Sequence, residues 1–135
     1  ETSLTAMREF DFDTIMFPVN FVCHYKADFV TEVVGEAKKR NIGIIAIKSM
    51  VKQRWDKDTD AKMYPNCWYQ PVNEPDLAKA SLGFSFAHGA TVVLPPGDEE
   101  LYRLALDLAP DGLQVTPNQL KVLEQTATNL QPIFT

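Results

Sequence analysis

Cysteine, long apolar runs and basic residues are all scarce in this sequence, and each shortage excludes a class of protein. Two cysteines, Cys23 and Cys67, are too few for a disulfide framework, and neither belongs to a Cys-x-x-Cys pair. No apolar run approaches the ~20 residues of a membrane-spanning helix, and no charged-then-apolar signal segment stands at the start. The sequence therefore predicts a soluble protein of a reducing compartment, and we expect the cytoplasm.

The shortage of basic residues bears on the partners of the protein. Lysine and arginine number 13 against 18 acidic residues, which gives a net charge of −5. A general nucleic-acid binder needs a basic face that meets phosphates. We therefore expect neither a nucleic acid nor a membrane as a partner.

The order of apolar and amphipathic segments predicts a single α/β domain over residues 1–135. Three strands are predicted, over residues 14–17, 42–47 and 91–94, and the continuous apolar run 42–47 suits a parallel strand buried on both faces. Helices are predicted over residues 2–10, 28–40, 76–88 and 98–109, with a last one beginning after Thr116. That last start has a Thr cap, a proline at the first helical position and Gln119 three residues after the cap.

Residues 49–74 carry no clean periodicity but hold four aromatic side chains, Trp55, Tyr64, Trp68 and Tyr69. Loops beyond ~12–15 residues are usually functional or disordered, and the aromatic content predicts an ordered loop that packs on its surroundings. Either the loop is a lid or it covers an exposed edge. Its large rings either line a substrate pocket or anchor the loop.

A candidate binding face follows from the predicted parallel strands, because the loops after their carboxyl ends build the active face of a β/α assembly. Asn20, Lys48 and the turn 95–98 fall there. Asn20 either contacts a carboxamide or carbonyl or stabilises the turn after its strand. Lys48 either contacts a cofactor phosphate or substrate anion or extends to water. The Pro-Pro-Gly turn either contacts a phosphate at the following helix start or binds nothing.

Three acidic residues, Asp98, Glu99 and Glu100, crowd that helix start. They stabilise the helix dipole by about 0.3–1 kcal/mol each. They also repel a dianionic phosphate by roughly 1 kcal/mol per charge at ~4 Å even in water. A dinucleotide bound at this turn is therefore expected to lack a ribose phosphate. At the end of the preceding helix, His88 before Gly89 predicts a helix cap rather than a catalytic group.

Three stretches together resemble the C-terminal half of an aldo-keto reductase: FDTIMFPVN at residues 12–20, KRNIGIIAIKS at 39–49, and residues 80–97. They are similar to that family's sixth, seventh and eighth barrel strands with their helices. The resemblance implies half of a (β/α)8 barrel, with about three parallel strands, flanking helices and a C-terminal helix. The length of 135 residues is about half that of a ~250-residue barrel, and the chain begins at Glu1 rather than Met, so we expect a partial chain.

The resemblance also implies a nicotinamide cofactor, NAD or NADP. Lys48 and Ser49 match the strand end that approaches the pyrophosphate, and residues 96–100 match the segment that approaches the adenosine phosphate. The predicted cofactor-binding residues are Asn20, Lys48, Ser49, Pro96, Gly97 and Asp98. Met16 stands where many members carry a Gln, and Ile47 where many carry an aromatic ring. Family members that use NADP tend to have Lys, Ser or Arg in the segment that matches residues 96–100. This chain has none of them there, so the resemblance favours NAD as the cofactor.

The family's catalytic Asp, Tyr, Lys and His come from an N-terminal half that this chain does not include. His24, Tyr25 and Lys26 do not match those positions, so no catalytic residue and no metal ligand is assigned. The prediction is a partial reductase-like oxidoreductase that is inactive alone and forms a homodimer or pairs with a missing N-terminal half. The alternatives are a non-catalytic binding or scaffold domain that keeps the half-fold, and an unrelated small β/α protein.

Overall fold

The computed structural model describes residues 2–27, 29–56 and 63–134 of the chain. In these ranges the protein is α/β, with six helices, a three-stranded parallel sheet and a two-stranded hairpin. The elements in chain order are α1 (Thr2–Glu9), β1 (Thr14–Pro18), α2 (Phe21–Ala27), α3 (Phe29–Lys39), β2 (Gly43–Ile47), β3 (Val51–Arg54), β4 (Tyr69–Pro71), α4 (Pro75–Ala87), β5 (Val92–Val93), α5 (Glu99–Leu108) and α6 (Pro117–Thr128). None of the described helices has the length and apolar character needed to cross a membrane.

The three predicted strands form one parallel sheet in the order β1-β2-β5, so the prediction of parallel pairing is confirmed. The register runs from Thr14 opposite Gly43 to Pro18 opposite Ile47, and Ile45 lies opposite Val92. Because all three strands run the same way, their carboxyl ends meet at one edge of the sheet. β5 is shorter than the predicted strand.

The described helices cover one face of this sheet. Phe17, Ile44 and Ala46 are buried on that face, where α3 packs on β2 and α4 packs on β5. On the other face, Met16, Ile45 and Val92 share one row of the register. Met16 is 61% exposed and Val92 46% exposed, while Ile45 is half-buried. The expectation that β2 is buried on both faces is therefore wrong for the described chain, since no described element covers the second face.

The sequence analysis missed α2, which begins directly after β1. Asn20 caps this helix, because its side-chain oxygen accepts a hydrogen bond from the Cys23 amide at 3.0 Å. Phe21, Val22 and Cys23 are buried. The helix has seven residues, too few to give an apolar stripe in the sequence, and the capping asparagine was its only local signal.

The predicted long loop contains a hairpin, which corrects the assignment of 49–74 as a loop without regular structure. β3 and β4 pair antiparallel, with Val51 opposite Pro71 and an irregularity between Val51 and Gln53. Gln53 donates to Gln70 across the pair at 3.3 Å, so polar side chains replace the alternating apolar pattern that indicates a strand. Residues 57–62 of the predicted loop lie outside the described residues.

The predicted helices are confirmed within one or two residues at each end, and residue 28 of the predicted helix 28–40 lies outside the described residues. The cap of α6 is a complete capping box: Gln119 donates its amide N–H to the Thr116 hydroxyl at 3.2 Å, and Thr116 donates its amide N–H to the Gln119 side chain at 2.8 Å. His88 forms the C-cap of α4, as predicted, with its amide donating to the Phe84 carbonyl at 2.9 Å.

Candidate functional site

A cavity of about 180 Å3 lies where the carboxyl ends of β2 and β5 meet the hairpin. Its lining residues come from the end of β2, from β4 and from the turn after β5: Ile47, Lys48, Ser49, Met50, Tyr69, Leu94, Pro95, Pro96 and Gly97. Four of the six predicted cofactor residues, Lys48, Ser49, Pro96 and Gly97, are therefore brought together. The parallel sheet explains this, since it places the residues that follow its strands side by side.

Lys48 follows β2 directly and lies in the left-handed backbone region, with φ of 64°. That conformation costs an L-residue about 1 kcal/mol, so surrounding contacts must hold the turn. Asn20 supplies them: its side-chain amide donates to the Lys48 carbonyl at 3.0 Å and to the Val51 carbonyl at 2.7 Å. The turn is thereby fixed in the shape that directs Lys48 toward the cavity.

The three hydrogen bonds of Asn20 use both donors of its amide and its carbonyl oxygen, and the residue is 1% exposed. Of the two interpretations of Asn20, its contacts support stabilisation of the turns after β1 and β2. Ser49 is equally buried, and its hydroxyl lies 2.8 Å from that of Ser85 on α4. Asn20 therefore holds the turn beside the cavity, and Ser49 forms part of the lining.

The Lys48 ammonium lies over aromatic rings of the hairpin. Its Nζ is 4.4 Å from the ring centroid of Tyr69 and 5.2 Å from that of Trp68, a geometry that stabilises a cation by about 0.5–1 kcal/mol. Burial lowers the pKa of Lys48 below its ordinary value, and the nearby Cys67 opposes this shift. Within the part of the chain that the structure describes, no carboxylate lies within 4.0 Å of Nζ.

Tyr69, which lines the cavity, and Cys67 are the titratable groups near the lysine. Tyr69 is buried and its hydroxyl shares a hydrogen bond with the Cys67 side chain. Burial raises the pKa of Tyr69, as do that hydrogen bond and, once it ionises, the Cys67 thiolate. Burial also raises the pKa of the Cys67 thiol. Both groups are therefore neutral near pH 7, and neither supplies a counter-ion for Lys48.

The predicted aromatic residues divide between two roles. Tyr69 lines the cavity, and Trp68 is half exposed beside Lys48. Trp55 anchors the hairpin instead, since its indole N–H donates to the Cys67 carbonyl at 2.7 Å. Tyr64 and Trp55 border a separate cavity of about 240 Å3 on the other side of the hairpin. The sequence could not assign these roles, because the pairing of β3 with β4 decides them.

The turn 95–98 leads from the cavity to the start of α5. Asp98 is 8% exposed and caps this helix, accepting from the amides of Glu100 at 3.1 Å and Leu101 at 3.4 Å. A ligand phosphate at this helix start would meet the Asp98 carboxylate. Gly97 is exposed, with open space around its Cα. It also borders a groove of about 450 Å3 lined by Asn66, Asp98, Glu99, Tyr102, Arg103 and Leu106.

The two histidines lie together away from this cavity. The ring of His88 stacks on Phe84 at 3.8 Å, and its centroid lies 4.7 Å from that of His24. Within the described ranges, no three His, Cys, Asp or Glu side chains are grouped in a way that could hold a metal ion.

No family model, curated protein or solved structure matches this chain. The resemblance to the aldo-keto reductases therefore stays a prediction from the sequence motifs.

Proposed function

We propose that this chain is the cofactor-binding half of a (β/α)8 oxidoreductase of the aldo-keto reductase type, and that it binds NAD at the cavity after β2 and β5. One observation carries the proposal: Lys48 and the 96–97 turn share a cavity at the carboxyl edge of a parallel sheet. Ligands of open α/β sheets bind at this edge. A bound nicotinamide cofactor would supply a hydride for the reduction of a carbonyl group.

The residues around the cavity suit a dinucleotide. The Lys48 ammonium, without a carboxylate partner in the described chain, offers a positive charge to a pyrophosphate. Gly97 borders both the cavity and the larger groove, so a long ligand would pass over it without meeting a side chain. In the groove, Tyr102 and Leu106 offer apolar surface to an adenine ring.

The charges at the groove favour NAD over NADP. Asp98 and Glu99 both line it, and the nearby Arg103 is already paired with Glu99 at 2.8 Å. A ribose phosphate placed there would approach two carboxylates and no unpaired arginine. Each such approach costs roughly 1 kcal/mol at ~4 Å in water.

The bare sheet face supports the half-barrel part of the proposal. Parallel sheets occur almost only with both faces covered, whereas Met16 and Val92 are exposed here. In a barrel this face would point inward and a second β/α half would cover it. We propose that in the isolated chain a second copy covers this exposed face of the sheet. Because no catalytic acid is assigned in this half, the isolated chain should not reduce carbonyl compounds.

Calorimetric titration of the purified chain with NADH and NADPH tests the cofactor site. We expect NADH to bind more tightly than NADPH, and Lys48→Met to weaken NADH binding about tenfold, the effect of losing one charge-assisted contact. Lys52→Met is the matched control, since Lys52 lies on β3 and pairs with Glu74 at 2.8 Å. Absence of binding at millimolar NADH would refute the proposal.

A second candidate function is a non-catalytic binding domain that keeps the half-fold. It is favoured by the Asp98 carboxylate, which occupies the helix start where a phosphate would bind. A folded chain that binds neither dinucleotide but still self-associates would support this candidate.

A further inference from the structure

The second cavity of the hairpin is not used by the proposed cofactor site. Its volume is about 240 Å3, and every residue that lines it belongs to the hairpin or to the segments on either side of β4. Four of its seven lining residues are aromatic or apolar: Trp55, Met63, Tyr64 and Pro71. Binding sites for small molecules combine such walls with a few placed polar groups.

The two aromatic walls of this cavity are held by hydrogen bonds. The Trp55 indole N–H donates to the Cys67 carbonyl at 2.7 Å, and the Asn73 amide donates to the Tyr64 hydroxyl at 3.1 Å. Tyr64 is buried. A hydroxyl that accepts a hydrogen bond keeps its own hydrogen for donation, so Tyr64 can donate to an acceptor inside the cavity. The walls are therefore formed before any ligand arrives.

A bulge in β3 brings a lysine into the lining. Two successive residues of β4 lie opposite Val51 and Gln53, so Lys52 is the extra residue between them. A bulge of this kind redirects a side chain. Lys52 lines the cavity, and its side chain is only 16% exposed.

The ion pair made by Lys52 leaves its positive member at the cavity. The ammonium lies 2.8 Å from the carboxylate of Glu74, which is not part of the lining and whose side chain is 57% exposed. Among the described residues that line the cavity there is no aspartate or glutamate; its other polar groups are the amides of Gln70 and Asn73 and the Tyr64 hydroxyl. One ammonium, two amides and a hydroxyl offer more donors than acceptors, so the cavity suits an anionic acceptor group.

We propose that this cavity binds a small carboxylate that carries one aromatic ring. The ring packs against Trp55 and Tyr64, and the carboxylate accepts hydrogen bonds from the Lys52 ammonium and the Tyr64 hydroxyl. A monocarboxylate matches the single ammonium, whereas a phosphate dianion would meet no second cation among the described lining residues. The ligand competes with Glu74 for the lysine, and this competition is weak because a largely exposed ion pair contributes little.

This site goes beyond the proposed function, because it needs neither a dinucleotide nor Lys48. Phenylacetate is the probe, added to the full chain and followed by calorimetry and by the indole N–H signals of the two tryptophans in NMR spectra. We expect the Trp55 signal to shift and the Trp68 signal to stay in place, with the two assigned from Trp68→Phe. Phenylacetamide has the same ring without the charge and should bind about tenfold more weakly.

Two variants of the ion pair are expected to change the affinity in opposite directions. Lys52→Met should weaken phenylacetate binding about tenfold, because a charge-assisted hydrogen bond is lost. Glu74→Gln removes the competing carboxylate and should tighten binding about threefold, a gain that a purely structural ion pair would not produce. Lys79→Met is the control, since Lys79 lies on α4, pairs with Asp111 at 3.4 Å and does not line the cavity.

Three results would each overturn the proposal: no binding at about 10 mM phenylacetate, a shift of the Trp68 signal in place of the Trp55 signal, or unchanged affinity in Lys52→Met. The phenylacetate titration contains no dinucleotide, and the NADH titration contains no phenylacetate. Failure of one proposal is therefore distinguishable from failure of the other.

Discussion

Asn20 is the residue on which the shape of the candidate site depends most directly. Its buried amide joins three backbone groups, the Lys48 and Val51 carbonyls and the Cys23 amide. Removing it leaves these groups without partners in a buried region, where each unsatisfied group costs about 1–3 kcal/mol. One side chain thus connects the end of β1, the end of β2 and the start of β3.

We therefore predict that Asn20→Ala lowers the free energy of unfolding by about 3–5 kcal/mol, measured by urea denaturation. Asn118→Ala is the control, because Asn118 is exposed in the first turn of α6 and should change stability by less than ~0.5 kcal/mol. Equal small losses for the two variants would contradict the supporting role of Asn20.

At this scale the sequence predicted the place of Lys48 but not its surroundings. A lysine after a buried apolar run is visible in the sequence, and so is its position at a strand end. Tyr69 begins the far strand of a hairpin that the sequence did not reveal, and Trp68 directly precedes that strand. Without that pairing, the aromatic contacts and the raised pKa of Tyr69 could not be derived.

Among the elements, α4 shows how a glycine allows two backbones to approach. A Cβ at Gly83 would lie 2.9 Å from the Leu113 carbonyl oxygen and 3.1 Å from the Val115 nitrogen. The segment leading to α6 thus crosses α4 at this position. Neither obstacle is a flexible side chain, so the segment itself would have to move to admit a methyl group.

We predict that Gly83→Ala destabilises the fold by about 1–3 kcal/mol through overpacking, although alanine favours a helix over glycine by about 1 kcal/mol. The matched control is Gly35→Ala in α3, where nothing lies within 4 Å of the added Cβ. That variant should raise stability by up to ~1 kcal/mol. Thermal unfolding of both variants checks that stability falls in one and rises in the other. If Gly83→Ala were stabilised, α4 and the segment leading to α6 would not be in close contact at this position.

The elements that the sequence predicted well have strong local signals. α6 has a capping box and α5 has an apolar stripe with Leu101 and Ala105 buried. The hairpin and α2 were missed because tertiary contacts define them: Gln53 pairs with Gln70, and Asn20 links α2 to β2. The bare second face of β2 was missed as well, since a continuous apolar run does not reveal whether another element covers it.

For the molecule as a whole, the bare face of the sheet is the dominant feature. Met16 and Val92 are exposed on it, and β1 and β5 are its two edge strands in the described chain. An apolar face and two unpaired strand edges both favour association.

We predict that the chain is a dimer in light scattering at micromolar concentration and that Met16→Lys makes it monomeric, because a charge on this face must be desolvated on association. Val122→Lys replaces an exposed apolar residue of α6 and should leave the dimer intact. A monomeric parent chain would exclude pairing through the bare face.

Association through the strand edges would end differently from a dimer through the bare face. An added copy that places its β1 beside β5 of the first satisfies one edge of each chain and leaves one β1 and one β5 free. This head-to-tail contact differs from a self-complementary patch, because it offers a new growing end after every addition. Growth stops only when the rotation between neighbours closes a ring; otherwise it continues as a filament. In such edge-to-edge growth, the rotation between neighbouring chains, rather than the affinity of the edges, therefore decides between a closed ring and a filament.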